Sequence, residues 1–304
     1  MKRIEVPDSA HKGIAVEGQS TWLPDAGNET MLPEFDPYNQ QSYYIELFNR
    51  GKTPFSYSIK IEKPWIKASK MEGLIDKEDR LWISVDWAKA PEGKQTAAAT
   101  VTGPNNRRIT LHASISNPSL SPKSGEGVFV ESHGYVSVEA EHYSKTVKSS
   151  SVTWLKIPGL GRTLSALTPE PATSAPQSPG GTSPRLEYRM CFFSTGAMKV
   201  NVYLSPTLNF HNDQGLRYAV SFDDEPPQTV VMNGDNSNRT WEQWVANNII
   251  ISTSHHNITS PGVHTLKFWI VDPGVVLQKI VVDAGGVHPS YFGPPESFLL
   301  NRTN

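Results

Sequence analysis

The chain has 304 residues, enough for one large domain or two ordinary ones, and its 37% hydrophobic and 10% aromatic content indicates a globular protein rather than a disordered one. The net charge of −2 gives no basic surface that would favour nucleic acid or an anionic membrane. The sequence has no apolar run of about 18 residues, so no transmembrane helix is predicted. The 24 prolines and 22 glycines are typical of an all-β protein with many turns.

Alternating apolar and polar residues predict a series of strands in the first half of the chain. These strands cover residues 43–48, 55–61, 81–87, 97–102 and 108–116. Their length and spacing are typical of an immunoglobulin-like β-sandwich. Trp65, Trp82 and Trp87 lie in or beside these strands, so we expect them to pack in its core.

A stretch rich in proline, serine and glycine separates the two halves of the chain. Residues 118–127 contain most of it and have no apolar periodicity, which is typical of a linker. The sequence therefore predicts a first domain over residues 1–117, with an extended N-terminal segment, and a second domain over residues 128–304.

The second half also shows strand patterns, interrupted by one low-complexity loop. The predicted strands cover residues 135–143, 185–193, 198–204 and 216–223, and the loop covers 168–184. Residues 241–251 begin like a helical turn and end like a strand. This domain is also predicted to be a β-sandwich.

The most regular pattern of the second half lies at residues 263–286. Leu266, Phe268 and Ile270 share one face of a predicted strand, and Lys267 and Trp269 take the other. Residues 275–283 are mostly apolar and β-branched, as in a strand that is covered on both faces. Asp-Pro-Gly at 272–274 is turn chemistry between them. We therefore expect a β-hairpin that forms the spine of this domain.

Two glutamates of one predicted strand are candidates for a metal site. Glu139 and Glu141 lie two residues apart, so both carboxylates point to the same face and repel each other unless a cation or solvent lies between them. Calcium prefers such oxygen ligands, and Asp283, at the end of the last strand, is the candidate third ligand. The alternative is a solvated strand face with an unrelated aspartate.

Aromatic residues near loops and strand ends are candidates for sugar binding, because indole and phenol rings stack on sugar rings. These candidates are Trp154, Trp241, Trp244 and Tyr291. The alternative is that each of them packs in the core. The acidic run at 223–225 precedes two prolines and is more typical of a solvated turn than of a catalytic pair, so no catalytic residue is assigned.

Long stretches of the chain, in order, carry a family resemblance. In the second half they are YVSVEAEHY, WLKIPGLGRTLSAL, RLEYRM, GLRYAVSFDDEPP, WEQWV, GVHTLKFWIVDPGVVLQKIVVDAGG and PSYFGPPES. They resemble the C-terminal domain of glycoside hydrolase family 115, the xylan α-1,2-glucuronidases. The first half, through GIAVEGQSTWLP, LPEFDPYNQQSYYIELFNRG, KPWIKAS and VDWAKAPEG, is similar to the segment that precedes that domain.

The resemblance implies that full-length relatives remove 4-O-methyl-glucuronic acid branches from xylan with a catalytic barrel upstream, and that C-terminal domains contribute to homodimers. This chain has no barrel pattern, so no catalytic residue carries over. VEAE and VVD also resemble galactose-binding-like jelly rolls of carbohydrate-binding modules, whose structural calcium is held by the first and last strands. On this chain that implies Glu139, Glu141 and Asp283.

These observations favour a non-catalytic accessory region of a xylan α-glucuronidase that docks on the barrel, aids dimerisation and binds glucuronoxylan. One alternative is a hydrolase that uses Glu139, Glu141 or Asp224, and another is a structural β-sandwich without a sugar site. The single Cys191 excludes an intrachain disulfide, which weakly favours a reducing compartment, and the first residues lack the apolar core of a signal peptide. We therefore expect either a cytoplasmic protein or, as the resemblance implies, part of a longer secreted one.

Overall fold

A computed structural model describes residues 5–119, 127–210, 215–235 and 237–300. The described chain is nearly all β-structure, which confirms the predicted fold class. It divides into two compact units, Met1–Ser119 and Leu120–Asn304. Most of the predicted linker lies outside the described residues.

The first unit is a sandwich of two five-stranded sheets. Its strands are β1 Lys12–Val16, β2 Trp22–Leu23, β3 Glu29–Met31, β4 Ser42–Asn49, β5 Phe55–Ile61, β6 Ile66–Ala68, β7 Glu72–Ile75, β8 Glu78–Val85, β9 Gly93–Thr102 and β10 Arg108–Asn117. The sheet orders are β2-β1-β4-β8-β6 and β3-β10-β9-β5-β7. A single 3₁₀ turn, Pro104–Asn106, connects β9 and β10.

The core of the first unit follows the predicted alternation. In β5, Phe55, Tyr57 and Ile59 are buried, and the serines between them are exposed. Trp65 is buried as predicted, but the prediction for Trp82 is wrong, because its indole is exposed. The reason is the strand period of two: Leu81, Ile83 and Val85 take the inner face of β8, so Trp82 points outward.

The second unit contains thirteen strands and one α-helix among the described residues. The strands are β11 Val128–Val130, β12 Tyr135–Glu139, β13 Lys145–Val147, β14 Thr153–Ile157, β15 Ala166–Glu170, β16 Arg185–Phe192, β17 Gly196–Leu204, β18 Arg217–Phe222, β19 Gln228–Val231, β20 Ile250–Ile258, β21 Gly262–Ile270, β22 Leu277–Asp283 and β23 Leu299–Leu300. The helix, α1, covers Asn238–Asn247. No helix in the described part of the chain is long and apolar enough to cross a membrane.

Two sheets face each other in the second unit as a jelly-roll sandwich. One, called here the β16 sheet, has the order β19-β18-β21-β16-β11-β23, with β13 also paired to β16. The other, the β22 sheet, has the order β14-β15-β22-β17-β20, with β12 also paired to β22. The core between them is apolar and is contributed by both sheets, for example Tyr188 and Phe268 from one and Val200 and Val282 from the other.

The prediction that residues 263–286 form a β-hairpin is wrong, because its two strands do not pair with each other. β21 pairs with β16 and β18, whereas β22 pairs with β12, β15 and β17. The Asp-Pro-Gly turn therefore carries the chain from one sheet to the other. Asp272 is buried there and pairs with Arg217, with Nε and Oδ2 2.7 Å apart.

Two other predicted segments differ in their bounds. The predicted loop at 168–184 overlaps the end of β15, and residues 171–184 contain no strand. The segment at 241–251 does change from helix to strand: α1 begins after Ser237, whose Oγ accepts a hydrogen bond from Thr240 N, and β20 follows.

Candidate functional site

Four separate stretches of the second unit meet on the outer side of the β22 sheet. They are the end of β12, the loop before β15, the end of α1 and the segment after β22. We call the side chains that join them the Arg162 cluster: Glu139, Glu141, Lys156, Arg162, Thr163, Lys279, Tyr291 and Glu296. The end of β12, the loop before β15 and the segment after β22 belong to motifs that carry the family resemblance.

Arg162 ties three of the four stretches together. Its backbone N–H donates to Gln278 Oε1 at 3.0 Å, and its Nη2 donates to Asn247 O at 2.6 Å. Nη1 donates to Tyr291 O, and the guanidinium lies over the Tyr291 ring, 4.2 Å from its centre. The loop before β15, the C-terminus of α1 and the segment after β22 are thus held by one side chain.

A buried ion pair lies beneath this arginine. Lys279 Nζ is 2.9 Å from Glu139 Oε1, and the two residues are only 3% and 4% exposed. Thr163 Oγ1 donates to both carboxylate oxygens of Glu139, at 2.7 and 2.8 Å. Lys279 also donates to the carbonyls of Pro294 and Phe292, at 3.2 and 3.4 Å. The ammonium is therefore enclosed by oxygens, as a metal ion would be.

The structure does not bring the three predicted calcium ligands together. β12 and β22 are neighbours, as that prediction required, but the register places Asp283 opposite Tyr135 and Lys279 opposite Glu139. Four residues of strand separate Asp283 from the Glu139 level, which is about 13 Å at the usual rise of a strand. Asp283 instead accepts hydrogen bonds from the backbone N–H groups of Gly285 and Val287.

The carboxylates of the two glutamates also already have partners within the chain. Glu139 is neutralised by Lys279, and Glu141 pairs with Lys156 and accepts from Ser165 N. The hydrogen bond from Lys156 lowers the pKa of Glu141. These residues do not fit the predicted cage, and no group of three or more His, Cys, Asp or Glu side chains among the described residues could hold a metal ion.

The predicted sugar-binding aromatics fall into two groups. Trp154 and Trp244 are half-buried against the core, and Trp154 Nε1 donates to Val147 O at 3.2 Å. Trp241 is half-buried on α1. Tyr291 is 58% exposed, and its neighbour Phe292 is 57% exposed, with the two rings edge to face at 5.1 Å. Only Tyr291 of the four candidates lies within the Arg162 cluster.

The carboxylates considered for hydrolysis are placed in three different settings. Glu139 is buried against a lysine, and the lowered pKa of Glu141 opposes a role as proton donor. Asp224 is fully exposed, 3.5 Å from Lys267 Nζ. These three settings do not favour general acid–base chemistry.

Sequence reasoning missed Arg162, Thr163, Lys279 and Phe292. For Lys279 a signal was present, because it is the only cation in the apolar strand LQKIVVD. A lysine at such a position requires a buried partner, and the structure supplies Glu139 of β12. For Arg162 and Phe292 the sequence held no comparable signal.

The comparison with family models gives the assignment. The model of the glycosyl hydrolase family 115 C-terminal domain matches residues 128–296. The chain belongs to this family. The matched range runs from the first strand of the second unit to Glu296 of the Arg162 cluster, so the whole cluster lies within the family 115 C-terminal domain. No curated protein matches the sequence.

Among solved structures, one similar chain is BtGH115A, a family GH115 4-O-methyl-α-glucuronidase with specificity for decorated arabinogalactans. It is 19% identical with a TM-score of 0.39, and the match covers 55% of this chain and 19% of that protein. Two carbohydrate-binding modules also match, at a TM-score of 0.33 each. The C-terminal CBM6 of LamC from Zobellia galactanivorans is 13% identical (49% of this chain, 98% of that one), and a family 35 module from Clostridium thermocellum is 10% identical (49% and 96%).

Proposed function

We propose that this chain is a non-catalytic accessory region of a xylan α-1,2-glucuronidase, exported as part of a longer protein, and that it binds glucuronoxylan through the Arg162 cluster. The observation that carries this proposal is the exposed pair Tyr291 and Phe292, fixed beside a guanidinium in a family 115 C-terminal domain. Aromatic rings offer faces to sugar rings, and arginine pairs with the carboxylate of a uronic acid.

The free hydrogen-bonding capacity of Arg162 supports this choice of ligand. A guanidinium has five N–H donors, and the hydrogen bonds from Nε, Nη1 and Nη2 to carbonyl oxygens use three of them. Two donors are therefore left without a partner among the described residues. A carboxylate accepts from two parallel N–H groups, so a uronic acid branch complements what remains.

We further propose that the second unit docks on the catalytic barrel and contributes to a homodimer. Leu155, Leu160 and Leu164 are exposed in and after the edge strand β14. Such an interface would cover these exposed leucines. The substitution Leu155→Glu is expected to weaken association with a family barrel without changing sugar binding.

Binding of glucuronoxylan decides the first proposal. In calorimetric titrations with glucuronoxylan oligosaccharides, we expect Tyr291→Ala and Phe292→Ala each to weaken binding about fivefold, as for the loss of one aromatic contact. Phe210→Ala is the matched control, because Phe210 is also an exposed phenylalanine of the same unit but belongs neither to the Arg162 cluster nor to the Tyr291–Phe292 pair. Equal affinity for xylan without uronic acid would reject the contact between Arg162 and a uronic acid. No heat at all would leave a structural β-sandwich as the better description.

Release of glucuronic acid by the isolated chain tests the competing hydrolase hypothesis. We expect no turnover at high protein concentration. Turnover that Glu141→Gln abolishes would replace the binding proposal by a catalytic one.

A further inference from the structure

The first unit contains a cavity of about 370 Å³ that the proposed function does not use. It lies between the residues before β1, the loop from β2 to β3, the end of β4 and the turn from β9 to β10. A cavity of this volume is within the range of small-ligand sites. Its polar lining includes His11, Lys12, Asn28, Arg50, Arg107 and Arg108.

The charge of this lining has one sign. Four side chains are permanent or near-permanent cations, and no lining residue is an aspartate or glutamate. Arg50 is partly compensated, because its Nη1 lies 3.6 Å from an oxygen of Asp25. Within the described parts of the chain, Lys12, Arg107 and Arg108 form no ion pair with a carboxylate. The cavity is therefore a concentrated positive site in a protein with a net charge of −2.

Lys12 makes this site more than a patch of surface arginines. It is only 8% exposed, and its Nζ donates to the carbonyls of Val101 and Arg107, both at 2.8 Å. An ammonium has three donors, so one remains. A Cβ at Gly103 would lie 2.7 Å from Lys12 Cδ, so glycine at this position leaves room for the lysine stem.

Keeping a lysine here without a carboxylate is unfavourable for the free protein. Burial lowers the pKa of Lys12 to about 8, so the charged form still exceeds the neutral form about tenfold at pH 7 but is less favoured than for an exposed lysine. A bound anion would supply the missing counter-charge. Buried cations are stabilised by a partner in this way, and a protein that lacks an internal partner can take it from a ligand.

We propose that this cavity is a second carbohydrate site, which binds a single hexuronic acid residue through its carboxylate. Lys12 and Arg107 face the carboxylate together, Arg108 adds a further cation at the rim, and the amide of Asn28 serves the ring hydroxyls. The volume accommodates one pyranose ring. The choice of a uronic acid among anions rests on the proposed function, whereas the anionic character of the ligand rests on the cavity alone.

Small ligands test this proposal on the full chain. In calorimetric titrations at pH 7 and low salt, we expect glucuronate to bind and glucose, its neutral counterpart, not to bind. Arg107→Gln and Arg108→Gln should each weaken glucuronate binding about tenfold, as for the loss of one charged hydrogen-bond partner. Arg80→Gln is the control, because it removes one positive charge from the same unit at an arginine that does not line the cavity and is paired with Glu46.

The pH dependence provides a second readout that does not require a lysine variant. Raising the pH from 7 to 9 passes the pKa of Lys12 and should weaken glucuronate binding several-fold. The other charged or titratable groups of the lining are His11, Arg50, Arg107 and Arg108, and the arginines keep their charge over this range.

Three results would overturn the proposal: equal binding of glucose, unchanged binding in both arginine variants, or sulfate that binds as tightly as glucuronate and displaces it. The last would indicate a general anion site. The outcome is separate from that of the Arg162 cluster. If Tyr291→Ala weakens binding of the polymer while Arg107→Gln leaves glucuronate binding unchanged, the cavity proposal fails and the proposed function stands. If Arg107→Gln weakens glucuronate binding while Tyr291→Ala leaves binding of the polymer unchanged, binding through the Arg162 cluster is rejected.

Discussion

Replacing Lys279 by methionine is expected to destabilise the second unit by about 3–5 kcal/mol, the usual effect of removing one partner from a buried ion pair. The carboxylate of Glu139 would remain buried with the hydroxyl of Thr163 as its hydrogen-bond partner. The carbonyl of Phe292 would also lose the Lys279 donor. Methionine keeps most of the volume, so the loss reports on charge rather than on a cavity.

Hydrogen exchange at increasing urea concentration is the appropriate assay, because peptides from the first unit serve as an internal reference. Exchange at β12 and β22 should rise with the loss of stability, while β5 and β9 stay unchanged. Lys156→Met is the matched control: it removes a lysine from the same cluster, but Lys156 is exposed, so about 1 kcal/mol or less is expected. The double variant Glu139→Gln with Lys279→Met should recover most of the loss, since no buried charge then remains.

A loss for Lys279→Met that equals the loss for Lys156→Met would refute this reasoning. It would mean that water or a rearranged partner compensates Glu139. A double variant as unstable as the single one would refute it in another way, because the cost would then come from packing and not from the unpaired carboxylate.

Two further predictions concern protons and metal. Burial, and secondarily His255, lowers the pKa of His256 to about 4. On acidification from pH 6.5 to 4 the unfolded state therefore gains a proton that the native state does not, and the free energy of unfolding should fall by up to about 3 kcal/mol. The variant His256→Gln should not show this fall. Equal acid sensitivity of the variant in urea titrations would contradict this. EDTA should leave the Tm of the second unit unchanged, because Lys279 already neutralises Glu139. A drop of several degrees that calcium reverses would contradict this.

Local patterns predicted most of the strands. Residues 55–61, which alternate, and the apolar run before Asp283 both form strands. In the first segment every second side chain is apolar and in the second nearly all are, so the burial pattern can be read from the segment itself. The pairing of strands is not encoded in this way. The Asp-Pro-Gly turn is compatible with a hairpin and with a crossing between sheets, and the choice depends on distant partners such as β16 and β17.

The calcium prediction shows the same division between local and distant information. The adjacency of β12 and β22 agreed with the expectation, but the register of the pair decided which side chains meet. Register depends on the packing of both strands against their sheet neighbours and on the segment that covers them. Because Lys279 and not Asp283 lies opposite Glu139, the two strands form an internal ion pair at this level.

This lysine links the stability of the domain to its proposed binding surface. Its ammonium neutralises Glu139 and also holds the carbonyls of Phe292 and Pro294, so the backbone that presents the exposed aromatics is fixed by the same group. Arg162 donates to the adjacent carbonyl of Tyr291. Lys279→Met should therefore weaken glucuronoxylan binding even under conditions where nearly all molecules are folded, because Tyr291 and Phe292 lose part of their preorganisation. Lys156→Met, which leaves these carbonyl contacts in place, should bind as the unmodified chain does.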